Sequence, residues 1–296
     1  MTEPATVRIA SPQLSAEISA DGAELRRLQD EAGRDLLWEG DPQFWTGRAP
    51  ILFPVVGCVN GNVIRVDGQS YPMAKHGFAR HRRFDLVEQT GEAVTFRLAA
   101  DAETRTSYPF DFRLDIRFAI DGTALAIDAQ LHNDGDRPLP ASFGYHPALR
   151  WPLPYGGERS AHQVRFEADE LAPIRRIGHD QLLRPEPEPT PVEGDLLDVR
   201  DALFEEDALI FDRLASRSVL FGAPGTRALE VSFPDMPMLG IWTKPGAGYL
   251  CIEPWQGMAD PQGFSGAFRD KPGVIEVGAG DMRRFSLRID TEAGTF

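Results

Sequence analysis

Residues 110–131 read FDFRLDIRFAIDGTALAIDAQL, and this stretch decides what kind of fold the chain builds. The apolar set Phe110, Phe112, Leu114, Ile116, Phe118 and Ile120 alternates with Asp111, Arg113, Asp115, Arg117 and Ala119. A period of two belongs to an extended strand, whose successive side chains leave opposite faces, so one face enters a core and the other meets water. Asp121-Gly122 follows at once, and then Leu125, Ile127, Ala129 and Leu131 alternate again. Asp-Gly tolerates the positive φ angles of a two-residue turn, so the pair predicts an antiparallel hairpin.

The same pattern repeats outward from this point. Val63-Ile64-Arg65-Val66 and Gln69-Ser70-Tyr71 flank another Asp67-Gly68, and Phe84 to Gln89 can pair with Val94 to Leu98 across Thr90-Gly91-Glu92. Near the far end Phe285, Leu287 and Ile289 alternate with Arg284, Arg288 and Asp290. With 28 glycines and 24 prolines as punctuation, the chain reads as many short strands. No long amphipathic helix stands out; the best helical candidate is short, Val199 to Leu209. Helices do not alternate with strands, which argues against a doubly wound or barrel α/β fold and for an all-β antiparallel sandwich or barrel. Pro185, Pro187, Pro189 and Pro191 make Arg184 to Glu193 an extended stretch, expected to be a surface connection rather than a linker between domains. No internal repeat of fixed period is present.

Composition narrows the partners. The 296 residues carry 31 Lys+Arg against 45 Asp+Glu, a net charge of −14, and binding a polyanion over a broad face needs clustered cations. No nucleic-acid partner is expected. Cys58 and Cys251 are too few for a disulfide framework and are expected to be free, buried thiols. The opening MTEPATVRIASPQLSAEIS has neither a basic leader region nor a long apolar core, and no run of 18 apolar residues occurs, so a cytoplasmic protein with no membrane partner is expected.

Local motifs for common chemistries are missing. His76 and His81 stand five apart, which sends them to opposite faces of an extended strand; neither HExxH nor CxxC occurs, so no metal site is expected. There is no phosphate-cradling glycine loop and no Gly-x-Ser-x-Gly elbow. Three other segments set polar groups among turns and aromatics. The first, Lys75 to Arg83 (KHGFARHRR), has four Lys/Arg, two His and no carboxylate in an otherwise acidic chain. The second is Phe143-Gly144-Tyr145-His146-Pro147-Ala148, and the third is Tyr249-Leu250-Cys251-Ile252-Glu253-Pro254-Trp255-Gln256-Gly257. Taken singly, each has an ordinary explanation: a turn cap, a hydrogen-bonded core histidine, a solvated strand end.

Taken together and in order, Arg48-Ala49-Pro50-Ile51-Leu52-Phe53-Pro54, His76-Gly77-Phe78-Ala79-Arg80, Gly144-Tyr145-His146-Pro147 and Ile252-Glu253-Pro254-Trp255 resemble the aldose 1-epimerase (galactose mutarotase) family, in its LacX-like bacterial branch. The likeness runs from about Leu14 to Leu287. It implies an antiparallel β-supersandwich with few short helices, and one domain over residues 1–296. It also implies an isomerase that needs no cofactor, with a monosaccharide as its partner and a monomer or homodimer as its state. By this likeness Glu253 is the base on the anomeric hydroxyl and His146 the acid at the ring oxygen. His76 resembles the histidine that bonds the sugar near that oxygen, Arg48 and Arg80 resemble substrate-binding arginines, and Asp207 resembles the aspartate that grips hydroxyls. Such chemistry suits a positioned carboxylate and imidazole, but His146 must be protonated to donate first, so a nearby carboxylate or solvent should hold its pKa up. His76, His146 and Glu253 are expected within ~10 Å of one another, the scale of a sugar held between acid and base. Trp242, Trp255 and Phe78 are candidates for apolar contact with sugar C–H bonds.

Three other classes compete. A non-catalytic carbohydrate-binding protein needs no acid–base pair. A glycoside hydrolase needs two carboxylates about 5–9.5 Å apart, with Asp235 or Asp260 as conceivable partners of Glu253. A hexose-6-phosphate 1-epimerase would set Lys75, Arg80, Arg82 and Arg83 against a phosphate.

Overall fold

A computed structural model describes residues 6–296. Short antiparallel strands dominate, and the helical content is a few 3-10 turns of three or four residues, in agreement with the all-β expectation. The decisive hairpin forms as read: Phe112–Asp121 pairs with Ala124–Asn133 in register from Asp121↔Ala124 to Phe112↔Asn133. Phe112, Leu114, Ile116, Phe118 and Ile120 are buried, as the period of two requires. Asp115, on the opposite face, is also buried, because Arg97 on the adjacent strand grips it through two hydrogen bonds of 2.6 and 2.7 Å. A bidentate guanidinium lets a carboxylate leave water at tolerable cost.

This hairpin lies inside a nine-stranded sheet ordered Leu196–Asp198, Gln163–Phe166, Ser218–Gly222, Leu229–Ser232, Met282–Asp290, Ala124–Asn133, Phe112–Asp121, Ala93–Ala99, Asp85–Gln89. A second sheet runs Leu209–Phe211, Met238–Trp242, Tyr249–Gln256, Phe143–Tyr145, Ile51–Leu52, with Ala148–Arg150 also on Tyr249–Gln256. The two sheets meet through aromatic side chains. Phe143 stacks on Phe285 with centroids 4.7 Å apart, and the buried Tyr145 hydroxyl lies 3.0 and 2.8 Å from the Ile127 and Phe285 carbonyls and donates there. A buried phenol needs such a partner, and this one ties neighbouring strands of one sheet to the other. A small N-terminal sheet, Thr6–Ala10, Leu14–Ser19 and Glu24–Asp30, adds Ile9, Ala16, Ile18 and Leu28 to the same core.

The other hairpins also form as read: Val63–Val66 with Gln69–Pro72, and Asp85–Gln89 with Ala93–Ala99 across a bulge between Leu86 and Glu88. The helical reading of Val199 to Leu209 is corrected. Only Asp201–Phe204 turns, as a 3-10 segment, and Leu209–Phe211 is a buried edge strand paired with Leu239–Ile241. Asp207, at φ +69°, separates the two. Burial of Leu209, Ile210 and Phe211 against a sheet overrides the helical propensity of so short a run. The proline-rich stretch is fastened to its neighbours through Ile174↔Glu188 pairing and through ion pairs of Glu188 with Arg176 and of Arg184 with Glu206. Among the described residues no helix is long and apolar enough to cross a membrane.

Candidate active site

The site grows from one strand. All eight residues of Tyr249–Gln256 are buried in the middle of the second sheet, and the two-residue repeat puts Cys251, Glu253 and Trp255 on one face. Glycine on both flanking strands makes room there. Gly240 lies opposite Glu253, and a Cβ at Gly240 would stand 2.5 Å from the Trp255 ring. A Cβ at Gly144 would stand 2.7 Å from the same ring. Trp255 therefore lies flat between two glycines, leaving Glu253 uncovered toward a cavity of about 320 Å³. Ligand pockets run roughly 300–1,000 Å³.

His146 follows directly on the strand Phe143–Tyr145, and its Nε2 lies 3.2 Å from Glu253 Oε2. The Trp45 ring covers it at 4.8 Å, and Trp242 meets it edge-on at 6.0 Å. Burial lowers the His146 imidazole to about 3. Burial, seconded by the Asp207 carboxylate, holds Glu253 well above the ordinary carboxylate range despite the opposing pull of Lys75. Burial therefore works against charge on both partners of this 3.2 Å contact, lowering the imidazole and raising the carboxyl. The expectation that a nearby carboxylate keeps His146 charged is corrected: the carboxylate is there, but desolvation outweighs it.

His76 enters from a strained turn. Both His76 (φ +65°) and Gly77 (φ +71°) are left-handed, and a Cβ at Gly77 would fall 2.1 Å from the Phe53 carbonyl oxygen. This turn brings the His76 ring to 5.7 Å from that of His146, centroid to centroid. The Gly57 N–H donates to His76 Nδ1 at 3.1 Å, so neutral His76 carries its proton on Nε2. Burial, then the charges of its neighbours, holds His76 well below the usual imidazole value, which fixes that neutral form.

Arg80, Lys75 and Asp207 complete the lining. Arg80 donates to the Lys75 carbonyl at 3.1 Å, and its buried Nε has no partner. Lys75 Nζ is held by Gln181 Oε1 at 2.7 Å. Asp207 owes its position to Arg176, a residue the sequence reading missed. The Nη1 of this buried arginine lies 3.0 Å from the carbonyls of Leu203 and Asp207 and 3.4 Å from that of Ala208. Arg176→Met should release this turn, raising KM roughly tenfold, about 1.4 kcal/mol of lost positioning, with kcat little changed. Steady-state anomer-exchange kinetics check this, and a fall in kcat at unchanged KM would contradict it.

Two expected contacts are corrected. Arg48 does not line the cavity: its Nη1 donates to the Arg26 carbonyl at 2.8 Å, and its backbone N–H donates to Glu24. Phe78 packs into the core against Phe53, Tyr108 and Phe112. Trp45, three residues before Arg48, is the aromatic that faces the site instead, its ring lying back over Gly47, where a Cβ would stand 2.4 Å away. Cys58 and Cys251 are free, as expected, though Cys58 is only half-buried at the cavity wall.

The sequence profile of the aldose 1-epimerase family matches residues 5–266. The chromosomal LacX protein of Lactococcus lactis is 30% identical over 282 residues, covering 92% of this chain and 94% of that one. A galactose mutarotase-like protein from Lactobacillus casei superposes with a TM-score of 0.89 at 27% identity, over 97% of this chain and 99% of the other. A galactose mutarotase related enzyme from Lactobacillus acidophilus gives 0.88 at 26% identity, over 99% and 100%. Agreement of that extent in sequence profile, relative and fold makes the chain a member of the aldose 1-epimerase family, a family of isomerases.

Proposed function

We propose that this chain interconverts the α- and β-anomers of an aldohexose, with Glu253 and His146 as the acid–base pair. One observation carries the reading: a buried carboxyl and imidazole 3.2 Å apart face a cavity in which Arg80 Nε and His146 Nδ1 lack protein partners. Buried polar atoms without partners cost free energy, and a ligand with a hydroxyl on nearly every carbon satisfies them.

The proton inventory closes. Besides the N–H that neutral His146 keeps, the resting pair holds one transferable proton, on Glu253. Moving it across to His146 yields carboxylate and imidazolium; Glu253 then takes the proton of the anomeric hydroxyl while His146 gives its own to the ring oxygen, and the C1–O5 bond breaks. The open-chain aldehyde is left beside a neutral pair, the state burial favours. Rotation about C1–C2 and the reverse transfers close the ring on the other face. His76, with its proton on Nε2, donates to the ring-oxygen region without exchanging it; Arg80 and Asp207 hold hydroxyls, and Trp45 and Trp242 supply apolar walls.

A pH profile follows with a definite sign. The pair is singly protonated from His146's value of about 3 up to the raised value of Glu253. Below that window the base is lost, and above it the acid. Enzyme-dependent kcat/KM, after subtraction of the spontaneous rate, should therefore stay flat through pH 6.5, the ordinary imidazole value, and fall only on the alkaline side. An acid limb centred near 6.5 would mean that His146 rests charged.

A second reading, a hexose-6-phosphate 1-epimerase, draws support from Lys75 and Arg80 in the lining. Arg82 and Arg83 do not join them: Arg82 pairs with Asp101 and Glu103, and Arg83 with Asp21. Anomer exchange measured by NMR on glucose, galactose and hexose 6-phosphates tests both readings. No enzyme-dependent exchange on any of them would leave a carbohydrate-binding protein.

A further inference from the structure

Just beneath the cavity, a third side chain joins the acid–base pair. Cys251 and Glu253 are two apart on one strand and share its inner face. A ring nitrogen of His146, the Sγ of Cys251 and a carboxylate oxygen of Glu253 all lie within 4.8 Å of one another, and all three residues are buried. His146 and Glu253 line the cavity, while Cys251 is fully buried and outside its lining. We propose that this trio binds a thiophilic divalent cation of the zinc or cadmium class, and that its occupation inhibits the enzyme by tying up both members of the acid–base pair.

Ligand type, geometry and charge all favour such an ion. Zinc takes thiolate at about 2.3 Å, imidazole at about 2.0–2.1 Å and carboxylate at about 2.0–2.2 Å. Around one tetrahedral ion these donors stand roughly 3.3–3.6 Å apart. The His146–Glu253 separation of 3.2 Å is already close to that, and Cys251 Sγ has to close in from no more than 4.8 Å. Three protein donors leave a fourth position for water, which can reach the site through the cavity that His146 and Glu253 line. Binding displaces one proton from the thiol and one from the carboxyl, and the two anions so formed balance the ion's two positive charges. A buried site with no net charge avoids the desolvation cost that either anion alone would meet. The thiolate selects against magnesium and calcium, which prefer all-oxygen shells. Cys58 lies on the cavity wall outside this trio and serves as the internal control.

The inhibitory half of this inference rests on the catalytic reading above, whereas the binding half does not, so the two are measured separately. Chelator-treated full-length protein is titrated with cadmium while the ultraviolet thiolate-to-cadmium charge-transfer band is followed. One ion per chain is expected, with the band lost in Cys251→Ala and Cys251→Ser and kept in Cys58→Ala. In parallel, zinc should inhibit anomer exchange reversibly by chelator, and magnesium should not. Losing even an outer partner costs roughly 10–100-fold in metal affinity, so Cys251→Ala or Cys251→Ser should need at least about tenfold more zinc for the same inhibition. A cadmium band that survives loss of Cys251, or disappears with Cys58, overturns the site. Equal zinc sensitivity of wild type and both Cys251 variants overturns the inhibition. A cadmium band that follows Cys251 in a protein that turns over no sugar leaves the site standing and sinks the catalytic reading instead.

Discussion

Glu253→Gln should slow enzyme-dependent anomer exchange by roughly 10²-fold or more, the scale of one lost general catalyst, while sugar binding and folding stability change little. The asymmetry comes from the charge state of the resting site. Burial raises the Glu253 carboxyl and so favours its neutral form, which the replacing amide matches in shape and charge. The buried strand Tyr249–Gln256 has no new charge to accommodate, and His146 keeps a polar neighbour. The variant lacks a proton that can be passed to His146 and a carboxylate that can take one from the sugar. His146→Asn should behave alike, because either half of a one-proton pair is useless without the other. NMR exchange rates at saturating sugar, with ligand binding measured separately, decide the point. Near-normal turnover of Glu253→Gln would remove the proposed base and favour a non-catalytic carbohydrate-binding protein.

Gly77→Ala should damage both the fold and the site. Its added methyl would sit 2.1 Å from the Phe53 carbonyl oxygen and 2.7 Å from the Pro54 nitrogen, backbone atoms that cannot swing aside. A non-glycine residue in the left-handed region costs about 1–2 kcal/mol, and overpacking adds about 1–3 kcal/mol, so roughly 2–5 kcal/mol of stability should be lost. The turn would have to move away from Phe53, carrying His76 with it, since the Gly57 N–H bond to His76 Nδ1 and the Phe78 N–H bond to Phe53 share that loop. Denaturant unfolding should report the stability loss, and kcat/KM should fall in the fraction still folded. Gly68→Ala is the matched control: it is also left-handed but has no heavy atom near the added carbon. Equal losses in both variants would trace the effect to backbone conformation rather than to the Phe53 contact.

Much of the fold was legible because its signals are local. The alternation of Phe112 to Ile120 and the Asp121-Gly122 turn are properties of neighbouring residues, and tertiary packing had only to agree with them. Val199 to Leu209 misled because its outcome depends on a strand, Met238–Trp242, far away in the chain. The site was legible in its motifs and not in its electrostatics. His146 and Glu253 could be named through the resemblance their motifs carry together, but how far each departs from its ordinary pKa depends on how completely the fold excludes water, which no local pattern encodes. Arg48 misled for a related reason: its motif matched, yet its guanidinium turns to the Arg26 carbonyl. Trp45, Gln181 and Arg176 left no local signal, since each acts through a partner distant in sequence or through a carbonyl, and every residue carries one of those.

The cavity collects Trp45, His76, His146, Asp207 and Glu253, so its walls come from segments spread over most of the chain. Each of these meetings closes a long loop, and loop-closure entropy must be met before the contacts it enables can compensate. Such distant pairings slow folding relative to a chain of the same length built on local contacts. No subset of the strands holds a partial site, because His146 has its carboxyl partner only once the chain has returned through Tyr249–Gln256. On the proposed mechanism, recovered turnover would therefore report the return of the chain through Tyr249–Gln256 rather than the collapse of its core.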